Sequence, residues 1–217
     1  MMVDLADRRC VVVGGGAVAL RKVRRLLEAR AAVTVVAPAA TDPLRRLAAR
    51  GRLVLQTRPV RAADLGGAFL VFAATDDPAV NRRVAETAIR RGALVNVADD
   101  PAACSFHVPA VLRRGELTVA VSTGGGSPAL ARRLRERLGA ILGPEYDAFL
   151  TALRELRRRA RRAISDPQAR QELYRRAVAS PLYEEAARGD RPAVRARIAG
   201  LIAGARPARS AARAGGR

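Results

Sequence analysis

The chain has 217 residues, 49% of them apolar, enough for one mid-sized domain with a true core and a smaller one beside it. Lys and Arg number 40 against 20 Asp and Glu, a formal charge of +20, and Lys22 is the single lysine among the arginines. Aromatics at 3% are too few for the stacking platforms of a single-strand nucleic-acid binder, one histidine excludes a C2H2 zinc pattern, and no apolar run is long enough to span a bilayer.

The charge suits nucleic acid or a polyanionic small substrate, or else reflects an arginine-biased composition without function. Cys10 and Cys104 lie far apart in small or apolar surroundings and read as reduced, buried thiols, not as a disulfide or a metal set. The N-terminus is short and charged, and the apolar run after it is broken by glycines, so no signal peptide is indicated. The expectation is a soluble cytoplasmic protein.

The first element is Cys10-Val11-Val12-Val13, an apolar β-branched run that suits a parallel strand covered on both faces. Gly14, Gly16 and Ala19 then fall on a G-x-G-x-x-A pattern. In that pattern the first glycine makes the tight turn, the second admits a pyrophosphate, and the small third residue lets helix pack on strand. Gly14, Gly15, Gly16, Ala17 and Val18 are therefore cofactor-binding candidates, with phosphates on the free N–H groups of the helix start. That helix sets Val18, Val23, Leu26 and Leu27 on one side and Arg21, Lys22, Arg24 and Arg25 on the other. Ala32 to Val36 reads as a second parallel strand, stopped by Pro38. The acidic residue expected about 20 positions after the glycines is absent. Ala37 and Pro38 occupy its place, so the adenosine ribose falls to backbone groups or to Thr41, and NAD is not ranked against NADP.

A short helix over Leu44–Ala49 and a strand over Leu53–Gln56 precede the most apolar strand, Ala68–Ala74. Asp77 is the expected N-cap of the helix Ala79–Arg90, with Pro78 at its first position. Thr75 and Asp76, at the carboxyl edge of the sheet, are candidates to line the ligand crevice. Ala93–Ala98 is a fifth strand, with Val97 a further cofactor-binding candidate, and Asp99-Asp100-Pro101 closes it. His107, between Phe106 and Val108, reads as a packed histidine and not a catalytic one. Ala110–Arg114 receives no element, and Glu116–Ser122 is a sixth strand.

A second glycine turn, Thr123-Gly124-Gly125-Gly126-Ser127-Pro128, leads into a helix over Ala129–Leu138, with Ser127 as N-cap. With Arg132 and Arg133 in the first turns it has the geometry of an anion site. From Gly143-Pro144 on, helices are expected over Tyr146–Ile164, Asp166–Ala179, Leu182–Arg188 and Arg191–Ile202, with Phe149, Leu150, Leu153 and Leu156 forming an apolar stripe. The run Arg154 to Arg162 is a solvated face or an anion-facing wall, and residues 205–217 lack apolar periodicity and are expected to be disordered.

With these pieces in place the chain resembles the precorrin-2 dehydrogenase family, the N-terminal module of siroheme synthases and its free-standing relatives. The matching segments are Val11 to Ala19 with Arg21-Lys22, Ala73 to Asp77 with Val80-Asn81, Asn96 to Asp99 with Pro101, Ser105-Phe106 with Pro109, and Val119 to Gly125 with Ser127-Pro128, in order over about residues 4 to 142. The resemblance implies an α/β fold: a Rossmann-like parallel-sheet domain over 1–110, a dimerisation segment over 111–143 and a helical domain over 144–204. It implies NAD-dependent oxidation of precorrin-2 to sirohydrochlorin by a homodimer and, in some members, insertion of Fe2+ to give siroheme. It points to Asp99 rather than Asp100 as the catalytic acid, which as a carboxylate beside the nicotinamide would serve as base for the proton lost. Ser122, Thr123, Gly124, Gly125, Ser127, Arg132 and Arg133 become candidates to hold the substrate. A tetrapyrrole with many carboxylates gives the arginine excess a purpose without nucleic acid or membrane. Two readings of other classes stand beside it: a dinucleotide-sensing regulator such as a transporter gating domain, which has no reason to carry the second glycine turn or Asp99, and a nucleic-acid binder on charge alone.

Overall fold

In the computed structural model, which describes residues 3–205, the chain divides between Val108 and Pro109 into two units. The first is a parallel sheet of β1 (Arg9–Val13), β2 (Ala32–Val36), β3 (Val54–Gln56), β4 (Leu70–Ala73) and β5 (Leu94–Val97) in the order β3-β2-β1-β4-β5. Alternation along β1 explains the two-layer burial. Cys10 and Val12 face a core shared with α1 (Ala17–Glu28) and α2 (Asp42–Ala49), while Val11 and Val13 face one shared with α3 (Pro78–Arg90). Chain order reverses between β1 and β4, so a crevice opens at their carboxyl ends, where ligands of such sheets bind.

The edge of β5 is covered by the small-residue segment after it. Ser105 N–H donates to the Val95 carbonyl (2.8 Å), Val95 N–H to Ser105 Oγ (2.6 Å), and Val97 N–H to Cys104 Sγ (3.2 Å). An unpaired edge is thus blunted by side chains. Both cysteines are free; Cys10 is buried, which pushes its thiol up to about 11, whereas Cys104, expected to be buried, is only partly so.

The connection from β3 to β4 is pinned by Asp64, buried at 8% exposure, whose carboxylate accepts two hydrogen bonds from Arg58 (2.7 Å each) and one from Arg61 N–H (2.7 Å). The Arg58 hydrogen bonds lower the Asp64 carboxyl from 3.8 to about 2. A depressed carboxyl stabilises the fold fully above its unfolded value and loses that contribution as pH falls through the folded one. The midpoint of thermal unfolding should therefore carry an acid-side decline, from pH about 4 toward about 2, that is shallower in Asp64→Asn. An unchanged acid limb in that variant would show that the cluster contributes nothing.

In the second unit β6 (Ala110–Arg114) and β7 (Leu117–Val121) form an antiparallel hairpin, turned at Gly115-Glu116 with Gly115 at φ +54°. This corrects the reading that left Ala110–Arg114 without an element. β7 pairs with β6 in a sheet of its own and adds nothing to the parallel one. α4 (Pro128–Ile141) packs on the hairpin, and α5 (Glu145–Ala163), α6 (Pro167–Val178), α7 (Leu182–Ala187) and α8 (Arg191–Ala203) enclose a core of Phe149, Leu156, Leu173, Leu182 and Ile198. Glu185, buried among them, is satisfied by Arg197, whose guanidinium donates at 2.6 and 3.1 Å. No helix among the described residues is long and apolar enough to cross a membrane, and the tail expected to be disordered lies, beyond Ala205, outside the described residues.

Candidate active site

Two glycines of the first turn are required by the protein itself and the third is not. Gly14 sits at φ +124°, and a Cβ there would overlap the Ala74 carbonyl; a Cβ on Gly15 would overlap the carbonyl of Ala39. Both are needed by the protein's own backbone. Gly16 is the N-cap of α1, and a Cβ on it would meet only open space. It supplies no side chain to the helix start, whereas Asp77 caps α3 by accepting from Ala79 and Val80 N–H (2.7 and 3.2 Å). The first N–H groups of α1 are thus left for an outside acceptor. Beside them Thr41 donates its N–H to the Gly15 carbonyl (3.0 Å) while its buried hydroxyl has no partner. An uncapped helix start, open space over its N-cap and an orphaned hydroxyl at its flank fit the pyrophosphate and ribose of a dinucleotide.

A cavity of about 490 Å³, the size of a small-molecule site, opens at the carboxyl ends of β1 and β2 between Val13, Val36 and Pro38 and the start of α3. Thr75 and Asp76 line it. Thr75 is also locked to Asn81, its N–H and hydroxyl both donating to Asn81 Oδ1 (3.0 and 2.8 Å) while Asn81 Nδ2 donates to its carbonyl (2.9 Å). Arg61 and Arg83 join the lining from the β3–β4 connection and from α3. Ala37 and Val97 have side chains almost wholly buried, so each has chiefly its backbone to offer a ligand.

At the end of β5, Asp99 stands exposed at φ +60°. The turn is stabilised by its neighbour, because Asp100 Oδ1 accepts from Ala103 N–H (3.3 Å). A carboxylate is left at the carboxyl edge with no capping duty to explain it. In the second unit Gly124 and Gly125 take φ +61° and +91°, Ser127 Oγ accepts from Leu130 N–H (3.2 Å), and Thr123 Oγ1 accepts from Ser127 N–H (3.0 Å). Ser122 Oγ accepts from Gly124 N–H (3.2 Å), so this turn satisfies more of its own donors than the first. Arg132 and Arg133 are exposed on α4.

The sequence matches a family model described as "Putative NAD(P)-binding" over residues 1–110 and one described as "Sirohaem biosynthesis protein central" over 114–140. It is 44% identical over 189 residues to the siroheme synthase of Methylococcus capsulatus, a match covering 87% of this chain and 40% of that protein. It is 42% identical over 205 residues to the siroheme synthase of Gluconacetobacter diazotrophicus, covering 93% and 44%. The chain thus spans about two fifths of the length of these relatives. The solved structure of SirC, a precorrin-2 dehydrogenase, superposes with a TM-score of 0.77 at 31% identity, covering 92% of this chain and 98% of that one. The chain belongs to the precorrin-2 dehydrogenase family.

For a precorrin-2 dehydrogenase family member, the first unit brings Gly16, Ala17, Val18, Pro38, Thr75 and Asp76 to one edge of the sheet, with Asp99 ending a strand at that same edge. Two expectations need correction. His107 is exposed, not packed; the neighbour that packs is Phe106, edge-on to Phe72 with ring centroids 5.6 Å apart. Lys22 does not share the solvent side of α1 with Arg21, Arg24 and Arg25: it turns inward, donating to Asn96 Oδ1 (3.0 Å). The arginine run on α5 is partly engaged within its unit, Arg158 and Arg159 pairing with Glu155 and Arg157 lying over Tyr174. Arg61 and Arg83 gave no local signal, because each reaches the cavity from a different segment; Thr41, named from the sequence for the ribose, does have a buried hydroxyl without a partner.

Proposed function

We propose that this chain is an NAD-dependent precorrin-2 dehydrogenase that yields sirohydrochlorin, working as a cytoplasmic homodimer. The observation that supports it most is the combination, along one sheet edge, of an uncapped glycine-fronted helix start, a cavity at the ends of β1 and β2, and the exposed carboxylate of Asp99. When bound, NAD+ accepts a hydride from the reduced macrocycle, so that precorrin-2 and NAD+ give sirohydrochlorin, NADH and a proton. Backbone N–H groups from Gly16 to Val18 would hold the pyrophosphate, and Pro38, Thr75, Asp76 and Arg83 the adenosine half. Asp99 takes the proton that leaves the macrocycle. With purified chain under anaerobic conditions, sirohydrochlorin should accumulate from precorrin-2 only when NAD is added; conversion independent of dinucleotide contradicts the proposal.

Arg132 and Arg133 are the proposed partners of substrate carboxylates, since a guanidinium fork matches a carboxylate bidentately. The KM for precorrin-2 should then rise several-fold from low to high ionic strength, while a flat KM leaves these arginines as solvated surface. The dimer rests on α4. Leu130, Leu134 and Ile141 lie on one side of that helix and are 48%, 37% and 71% exposed, an apolar stripe that a second copy would cover. Light scattering should give twice the mass of one chain, and Leu134→Glu should shift it toward the monomer.

A further inference from the structure

The chain uses arginine for every cation but one, and that one is turned into the protein. Lys22 on α1 crosses the face of the sheet to the edge strand. There its ammonium donates to Asn96 Oδ1 at 3.0 Å and lies 4.8 Å from the centroid of the Phe72 ring. Asn96 is buried, and its amide donates in turn to the Phe106 carbonyl (3.1 Å) and Cys104 Sγ (3.4 Å). Cys104 donates back to the Asp100 carbonyl (3.2 Å). The loop from Ala98 to Phe106, which carries Asp99 in a left-handed backbone conformation, is therefore tied to α1 through one ammonium group and one amide.

We propose that Lys22 is a positioning residue for Asp99: through Asn96 it fixes the end of β5 and the turn beyond it, and it sets a positive charge within electrostatic reach of the Asp99 carboxylate. This rests on the reading of Asp99 as the base. The role calls for a lysine. A compact ammonium fits between an amide and a ring face, whereas the planar guanidinium used elsewhere in this chain needs a wider, fork-shaped set of acceptors. Burial lowers the Lys22 ammonium from its ordinary value, with Arg21 and Arg25 of its own helix acting in the same direction. Cys104 and Asp99, which face it from the β5 side, act in the opposite direction. The coupling between Lys22 and Asp99 is thus a measurable property of the pair.

Because Lys22 is the single lysine, isotope-labelled lysine gives one side-chain NMR signal from the intact chain. Asp99→Asn removes the charge at a backbone angle that asparagine adopts readily, so the fold is kept. The titration midpoint of Lys22 should fall below that in the wild type, since an opposite charge that favoured the ammonium is gone. Lys22→Met and Lys22→Arg should each lose roughly 10²-fold in kcat while the dinucleotide dissociation constant stays within twofold, the signature of a misplaced group rather than a lost binding site. An unmoved Lys22 signal in Asp99→Asn overturns the proposal, as does a Lys22→Met enzyme with wild-type kcat. If the signal moves but Asp99→Asn turns over normally, the base assignment has failed, and the positioning role fails with it.

Discussion

Asp99→Asn should lose dehydrogenation by roughly 10²-fold or more in kcat, the contribution of a general base, while calorimetry still finds NAD bound at wild-type affinity. The expectation follows from what Asp99 is not doing. Asp100 accepts the hydrogen bond that holds the turn, and Asp99 is exposed at the carboxyl edge, so the variant removes a charge without removing a cap. Asparagine suits φ +60°, whereas Asp99→Ala would add a backbone penalty of about 1–2 kcal/mol and confuse the result. Any insertion of Fe2+ by this chain should fall with it, because metal entry releases pyrrole protons that need the same kind of acceptor. His107→Ala, exposed and away from this duty, should stay within a few-fold of wild type. Full activity of Asp99→Asn would send the proton to Asp76 or to water.

Gly16→Asp should abolish dinucleotide binding and leave the chain folded, while Gly14→Ala should compromise the fold itself. A Cβ on Gly16 meets no protein atom within 4 Å, so the sheet and α1 have room for it, but an aspartate there would stand over the helix start and place a carboxylate where phosphates must go. At Gly14 both the backbone angle of +124° and the Ala74 carbonyl forbid a Cβ, at a cost of roughly 3 kcal/mol or more from strain and overlap at the centre of the sheet. Circular dichroism and thermal melts separate the two variants from each other, and NAD titration separates Gly16→Asp from wild type. NAD affinity unchanged in Gly16→Asp would remove the glycine turn from the site.

What the sequence made legible was what is decided locally. The strand–glycine–helix passage from Cys10 to Ala19, Asp77 and Ser127 as caps, and Pro78 and Pro128 at first helical positions all follow from interactions spanning four residues or fewer. Lys22 shows where a sound rule was outweighed by a weaker one. It lies three residues after Ala19 and four before Leu26, both buried, so helical periodicity alone placed it on the inner face, and only its charge argued for the outer one. The division of labour among the glycines was hidden, because Gly14 and Gly15 are constrained by Ala74 and Ala39, residues of other strand ends. Arg61 and Arg83 reach the cavity from segments that only the sheet order brings together. Ala110–Arg114 becomes a strand because Leu117–Val121 pairs with it, and a five-residue run ending in two arginines carries little signal by itself.

The most direct measurement records both halves of the reaction in one cuvette: precorrin-2 and NAD+ with the purified chain under anaerobic conditions, following nicotinamide absorbance and the macrocycle spectrum together. NADH and sirohydrochlorin should rise at the same rate, one molecule of each per turnover, and neither should form with Gly16→Asp. Oxidation of the macrocycle without NADH, or undiminished turnover by Gly16→Asp, would contradict the assignment of this site as an NAD-dependent dehydrogenase.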